Sequence, residues 1–262
     1  MRRSSEPIRE TAIVLRTIRH GETSRIVTLL GNTLGKFSVI AKGARNAKTS
    51  SLNNLEPPCL IDAIVHFKTS RSVQIISQAQ SLNNYPQIRC DLVRTGYMLA
   101  ALQIIERTST EGDPSKETYD NIAKSLQLWN DCPTIDPRFI LWKFQMELYA
   151  SLGFELSIDE CAICRNNPVE LGNKVLFSSI HGGFCCPDCV SEVIGGNNVS
   201  GESVMLIKRI IKDPLIRCER LRCSKTARSE VSSLLKNYLK VHLPDLGEMK
   251  ALKILEQFEE TK

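Results

Sequence analysis

The sequence predicts a multidomain α+β chain. A small barrel of five strands comes first, and an α-helical domain follows with a four-cysteine ribbon inserted in it. Three observations predict this. Five short segments rich in β-branched residues fill the first eighty positions, helical periodicity takes over near residue 86, and two C-x2-C pairs sit in a stretch with neither pattern. The chain has 262 residues, 42% of them hydrophobic. That is enough for a sizeable core in one large or two ordinary domains. The expected boundaries are 1–82 for the barrel and 83–262 for the helical domain, with the metal-binding segment at about 158–195.

The strand segments read "TAIVLRT", "RIVTLL", "KFSVIAK", "LIDAIVHF" and "VQIISQA", divided by turn signals at "HGE", "GNTLG", "GARNAKTSSLNNLEPP" and "KTSRS". Five strands at this spacing fit a small antiparallel barrel, and the five-stranded member of that group is the OB-fold. Alternation in the third strand turns Phe37, Val39 and Ala41 inward and Lys36, Ser38 and Lys42 outward. Barrels of this kind bind oligonucleotides with cations for phosphates and rings for bases. The candidate cations are Arg16, Arg25, Lys36, Lys42, Arg45, Lys48, Lys68 and Arg71. Rings are scarce: Phe37 and Phe67 are the only aromatic residues among the strands, and both fall on expected core faces. Phosphate contacts should therefore dominate any nucleic-acid binding, with strong salt dependence and little sequence preference.

After "NNYP" the period becomes helical. "IRCDLVRTGYMLAALQIIERT" places Ile88, Leu92, Leu99, Leu102 and Ile105 near one stripe, and "TYDNIAKSLQLWND" does so with Tyr119, Ile122, Leu126 and Trp129. The next helix has an N-cap in Asp136, Pro137 at its first position, Gly153 to end it, and a stripe of Ile140, Leu141, Phe144 and Leu148. Helices resume at "ESVMLIKRIIK", "ARSEVSSLLKNYLKVHL" and "EMKALKILEQF".

"CAIC" and "CPDC" pair Cys161 with Cys164 and Cys186 with Cys189. A C-x2-C turn presents two sulfurs to one ion, and two such turns complete a closed tetrahedral set. That describes a structural Zn2+ site, one ion per chain, with no open position for catalysis. An iron–sulfur cluster, a redox C-x-x-C pair and chance clustering of buried thiols are the competing readings. In "GGFCCPDC", Cys186 keeps the spacing to Cys189 and Cys185 does not. His181 is a poor ligand candidate, and Gly182 and Gly183 let the chain turn into the second knuckle.

Charge is uneven. Residues 1–82 carry +7, 83–202 carry −7, 203–242 carry +7 and the last twenty −2, for a net charge of +5. Two basic blocks around an acidic middle suggest polyanion binding, against the plainer reading of solvated Lys and Arg. The amino terminus lacks the apolar core of an export signal, and no apolar run approaches the roughly 18 residues that span a bilayer. A cytoplasmic chain without a membrane partner is expected, in which thiols stay reduced. The four histidines (His20, His66, His181, His242) stand in no recognised catalytic arrangement, and no phosphate-loop, dinucleotide, zincin or nucleophile-elbow motif occurs. No enzyme is expected.

The segment "AIVLRTIRHGETSRIVTLLGNTLGKFSVIAKGARNAKTS" resembles the amino-terminal signature of the bacterial RecO family, in its "VLR" strand, its "GE" turn, its "LGK" and its "AKGAR". The likeness continues through "LGFELSIDECAIC", the "GG" and C-x2-C of 182–189, and "LLKNYLKVHL". One departure is that "LGNTLGK" lacks the acidic residue expected in the turn before "GK".

The resemblance implies an OB-fold before a helical domain with a zinc ribbon. It implies binding of single- and double-stranded DNA, annealing of complementary strands, and work with RecR to load RecA onto single strands coated by single-stranded-DNA-binding protein (SSB). It implies capture of that protein's acidic C-terminal tail, and a bacterial cytoplasmic location at the nucleoid during repair. Lys36, Lys42, Arg45 and Lys48 fall in the part matching the family's DNA-binding barrel, and the four cysteines match the ribbon's ligands. A Lys- or Arg-rimmed groove within 85–150 or 203–242 would suit the tail, and the 203–242 block is a candidate for tail or DNA. The alternative is a zinc-ribbon scaffold that mainly binds proteins.

Overall fold

A computed structural model describes residues 7–44, 52, 55–166, 174–247, 249–251 and 253–255. Arg45 and Lys48 lie outside the described residues. The chain forms two compact units, Met1–Asp131 with Met249–Lys262, and Cys132–Glu248.

In the first unit, β1 (Pro7–His20), β2 (Ser24–Gly31), β3 (Gly35–Ala41), β4 (Leu60–His66) and β5 (Val73–Asn83) close a barrel in the order β1-β2-β3-β5-β4. The barrel is not wholly antiparallel: β3 and β5 pair in parallel through Ser38–Val73, Val39–Gln74 and Ile40–Ile75, and that pairing closes it. Alternation holds where expected. Val27, Leu29, Phe37, Val39, Ala41 and Ile76 are buried inside, while Lys36, Ser38 and Ile40 face outward. Phe67, expected in the core, is only half-buried beyond the end of β4.

The departure in "LGNTLGK" has a physical account. The buried carboxylate of Glu10, on β1, accepts the amide of Thr33 at 2.6 Å, the Thr33 hydroxyl, and the amide of Leu34 at 3.4 Å. An acid from the neighbouring strand thus satisfies the amides of the β2–β3 turn. Gly35 then takes φ 67°, and a Cβ there would meet the backbone of Asp113. The "LGK" glycine is required both by its conformation and by the close approach of that loop.

Helices α1 (Pro86–Arg89), α2 (Leu92–Thr108) and α3 (Lys116–Asp131) complete this unit. Tyr119, Ile122, Leu126 and Trp129 are buried as their period requires. The α2 stripe is different. Leu92 and Leu99 are 68% and 41% exposed, and the buried set is Arg94, Tyr97, Met98, Ala100, Ala101, Leu102, Ile104 and Ile105. The Asp91 carboxylate accepts the amides of Val93 and Arg94 and starts α2, so Ile88 belongs to a separate helix, while Leu92 and Leu99 lie on the face of α2 opposite Tyr97, Ala101 and Ile104. The turn at Cys90 and Asp91 breaks the phase that a single long helix would have had.

In the second unit, α4 (Pro137–Ser151) has the expected Asp136 cap on the Arg138 amide, at 3.0 Å. A three-stranded sheet follows, β6 (Val175–Ser178), β7 (Gly183–Cys185) and β8 (Asn197–Val199) in the order β7-β6-β8, before α5 (Gly201–Lys212) and α6 (Lys225–His242). The ribbon packs on the helices through aromatic rings: Phe177 meets Phe184 at 5.3 Å and Tyr238 at 6.0 Å, and Tyr238 meets Tyr149 at 5.2 Å. The Lys143 ammonium donates to the carbonyl oxygens of Ile210, Ile211 and Asp213 at 2.9, 3.0 and 3.1 Å, which caps the end of α5. Among the described residues no helix is long and apolar enough to cross a membrane.

Candidate functional site

The four cysteines of the two C-x2-C pairs converge. The sulfurs of Cys161, Cys164, Cys186 and Cys189 all lie within 4.8 Å of one another. Bonds of about 2.3 Å to one tetrahedral ion put sulfurs about 3.8 Å apart, and Cys164 and Cys186 stand at 3.9 Å. Three of the four are buried, with Ile163 and Val193 packed around them. Four thiols, three of them buried, with no carboxylate or histidine in the set fit a closed structural metal site.

Local sequence builds each knuckle. The Ala162 amide donates to the Phe184 carbonyl at 2.8 Å, and Arg165 closes the first turn on the Cys161 carbonyl at 3.0 Å. Pro187 starts a short 3-10 turn after Cys186, and the Cys189 amide donates to the Cys186 carbonyl at 3.1 Å. The paired glycines have separate tasks. Gly182 adopts φ 76°, whereas a Cβ on Gly183 would meet the Ser157 carbonyl oxygen and Cβ. The Cys186 amide donates to the Cys161 sulfur at 3.3 Å. Burial disfavours the Cys161 thiolate, but amides of Cys186, Cys164 and Ile163 outweigh it and hold the group at about 6. Cys185 is pushed up to about 11, first by burial and then by the neighbouring sulfurs, so it remains a thiol. It stands outside the converging set, as does His181, whose Nδ1 lies 2.9 Å from the Ser178 hydroxyl.

The barrel's cations fall into two groups. The Lys36 ammonium donates to the Glu106 carbonyl oxygen at 2.7 Å, Arg16 pairs with the Glu106 carboxylate at 3.2 Å, and Arg25 pairs with Glu56. Lys42, Lys68 and Arg71 make no ion pair with a described carboxylate. Register places Arg19 opposite Arg25, and Arg25 opposite Ala41, beside Lys42. Arg19, missed in the sequence, thus joins a basic rim at the β1–β2 end; only strand pairing could have shown it. Lys68 and Arg71 occupy the β4–β5 turn, which the buried Gln74 side chain holds by bonding both backbone groups of Lys68 and the carbonyl of Arg71 at 2.7–3.1 Å.

Both halves of the chain match family models: residues 3–85 match Recombination protein O N terminal, and 89–251 match Recombination protein O C terminal. The chain is 28% identical over 229 residues to the DNA repair protein RecO of Symbiobacterium thermophilum, covering 87% of this chain and 88% of the relative. It is 29% identical over 232 residues to that of a Roseiflexus species, covering 88% and 80%. The RecO protein of Syntrophomonas wolfei is 26% identical over 228 residues, covering 87% and 88%.

Proposed function

The chain belongs to the RecO family of DNA repair proteins, and on that premise we propose that it is a non-enzymatic mediator that binds single- and double-stranded DNA and anneals complementary strands. The observation that carries this reading is the barrel end where the exposed Arg19 and Lys42 sit at strand ends close in register, each without an ion pair to a described carboxylate. Exposed cations without a carboxylate partner are open to phosphates, and a polyanion that binds them releases its own counterions. Basic surfaces that neutralise two strands let base pairing begin. With RecR, the protein would load RecA onto single strands coated by single-stranded-DNA-binding protein, whose tail it would capture.

We infer that the metal is zinc, one per chain, and that its role is structural. Four sulfur donors in a closed set suit that ion. It would hold the two knuckles, and with them the ribbon's aromatic contacts to α6.

Annealing of two complementary oligonucleotides over a salt series tests the DNA reading. Wild-type protein should accelerate annealing at low salt, and Lys42→Glu with Arg19→Glu should abolish the effect in a folded protein. Unchanged annealing would favour the alternative, a zinc-ribbon scaffold for proteins, which draws on the engagement of Arg16, Arg25 and Lys36 by Glu106 and Glu56.

A further inference from the structure

We propose that the outer face of the barrel carries an aliphatic platform for unpaired bases, made by Ile18, Ile26, Ile40 and Ile75; this rests on the DNA-binding reading above. The four lie on different strands, yet register sets them in one line. Ile18 pairs with Ile26, Ile26 with Ile40, and Ile40 with Ile75. Strands lie about 4.8 Å apart, so the row runs about 14 Å across β1, β2, β3 and β5. His66 stands opposite Ile75 and continues the line onto β4.

The row faces outward. Each inward neighbour is buried (Val27, Val39 and Ile76 beside Ile26, Ile40 and Ile75), whereas Ile18 is 42% exposed and the other three are half-buried. The outer face of an antiparallel sheet ordinarily alternates to polar residues, so four aligned isoleucines there call for an apolar partner.

The flanks identify that partner. His20, Ser24 and Lys42 hold the next outward positions on one side, and Arg16, Thr28 and Ser38 on the other. No acid stands in these strand rows, although Arg16 is paired with Glu106 of α2, which leaves Lys42 as the cation of these rows without an ion pair to a described carboxylate. An apolar strip between cations and hydroxyls complements a chain with flat apolar groups and regular negative charge, which is single-stranded nucleic acid. Paired bases hide their faces, so a duplex would meet only the cations. The scarcity of aromatic rings among the strands therefore does not leave phosphate contacts alone to hold a single strand, because aliphatic side chains offer an apolar surface without sequence preference.

Binding of the full chain to a labelled oligo(dT) and to a duplex of equal length, across a KCl series, tests the platform. Ile26→Ser with Ile40→Ser should weaken oligo(dT) binding about ten-fold. The slope of log affinity against log salt should not change, since no phosphate contact is lost, and duplex binding should hold. Ile18→Ser, at the most exposed position, should weaken oligo(dT) binding about three-fold, and Ile40→Phe should strengthen it. Both single variants serve even if the double variant does not fold. Wild-type affinity for oligo(dT) in the serine variants, or an equal loss for duplex, would overturn the platform. Wild-type protein that binds neither DNA would overturn the DNA-binding reading itself, a separate and recognisable result.

Discussion

The ammonium of Lys36 donates a 2.7 Å hydrogen bond to the carbonyl oxygen of Glu106, seventy residues away at the end of α2. Helix ends leave carbonyls without partners, and a cation there is favoured by the helix dipole as well. The same Glu106 takes Arg16 on its carboxylate, so one residue of α2 engages two barrel cations.

Lys36→Met should therefore lower stability by about 1.5–3 kcal/mol, the range for a hydrogen bond to a charged group. Lys42→Met, at an exposed position, should leave stability unchanged and reduce the salt slope of DNA binding by about one. Urea denaturation of both variants, with DNA titrations, separates the two roles. Equal stability of Lys36→Met and wild type would remove the structural role of Lys36.

Lys143 should matter more than its polarity suggests. Lys143→Met keeps the stem but strands three carbonyls at the end of α5. A loss of about 2–3 kcal/mol is expected in denaturant titration. A variant as stable as wild type would show that water replaces the ammonium without cost.

Elemental analysis of protein prepared without chelator should find about one zinc per chain. Cys164→Ser should lose the ion, and Cys185→Ser should keep it, because the Cys185 sulfur stands outside the converging four. Retention of metal by Cys164→Ser would refute the four-sulfur site.

Helices α5 and α6 are joined by reciprocal serine–glutamate contacts, and these should make the second unit acid-sensitive. Glu202 accepts the Ser224 amide and hydroxyl at 2.7 and 2.6 Å, and Glu230 accepts the amide of Ser200 at 2.9 Å and the hydroxyls of Ser200 and Ser203 at 2.7 and 2.5 Å. The Ser224 hydroxyl and amide hold Glu202 below its ordinary value of 4.5. Burial works against Glu230, but the serine hydroxyls and the Ser200 amide outweigh it and hold it below 4.5 too. A carboxylate lowered by folding adds stability above its unfolded value, and that stability disappears as pH falls through the folded one. Denaturation midpoints should thus fall below about pH 4.5, and Glu230→Gln should flatten the decline. A wild-type midpoint constant from pH 6 to 3 would contradict this.

The sequence by itself determined the five strands of the barrel, helices α3 to α6 and the four cysteines that converge. Those signals are local. A period of two marks β3, a period of 3.6 marks α3, and C-x2-C needs only one turn to bring two sulfurs together. The α2 stripe failed because it joins Ile88 to a helix that starts only after Asp91, and because it puts Leu92 and Leu99 on the buried face when they lie opposite it. Tertiary structure alone decided which cations are engaged, how the β2–β3 turn is satisfied, and that Ile18, Ile26, Ile40 and Ile75 form a line. Glu10 meets Thr33, Lys36 meets Glu106, and Ile40 meets Ile75 because strand register and chain closure put them there. Such pairings join residues tens of positions apart, and no pattern within one turn or one strand specifies them.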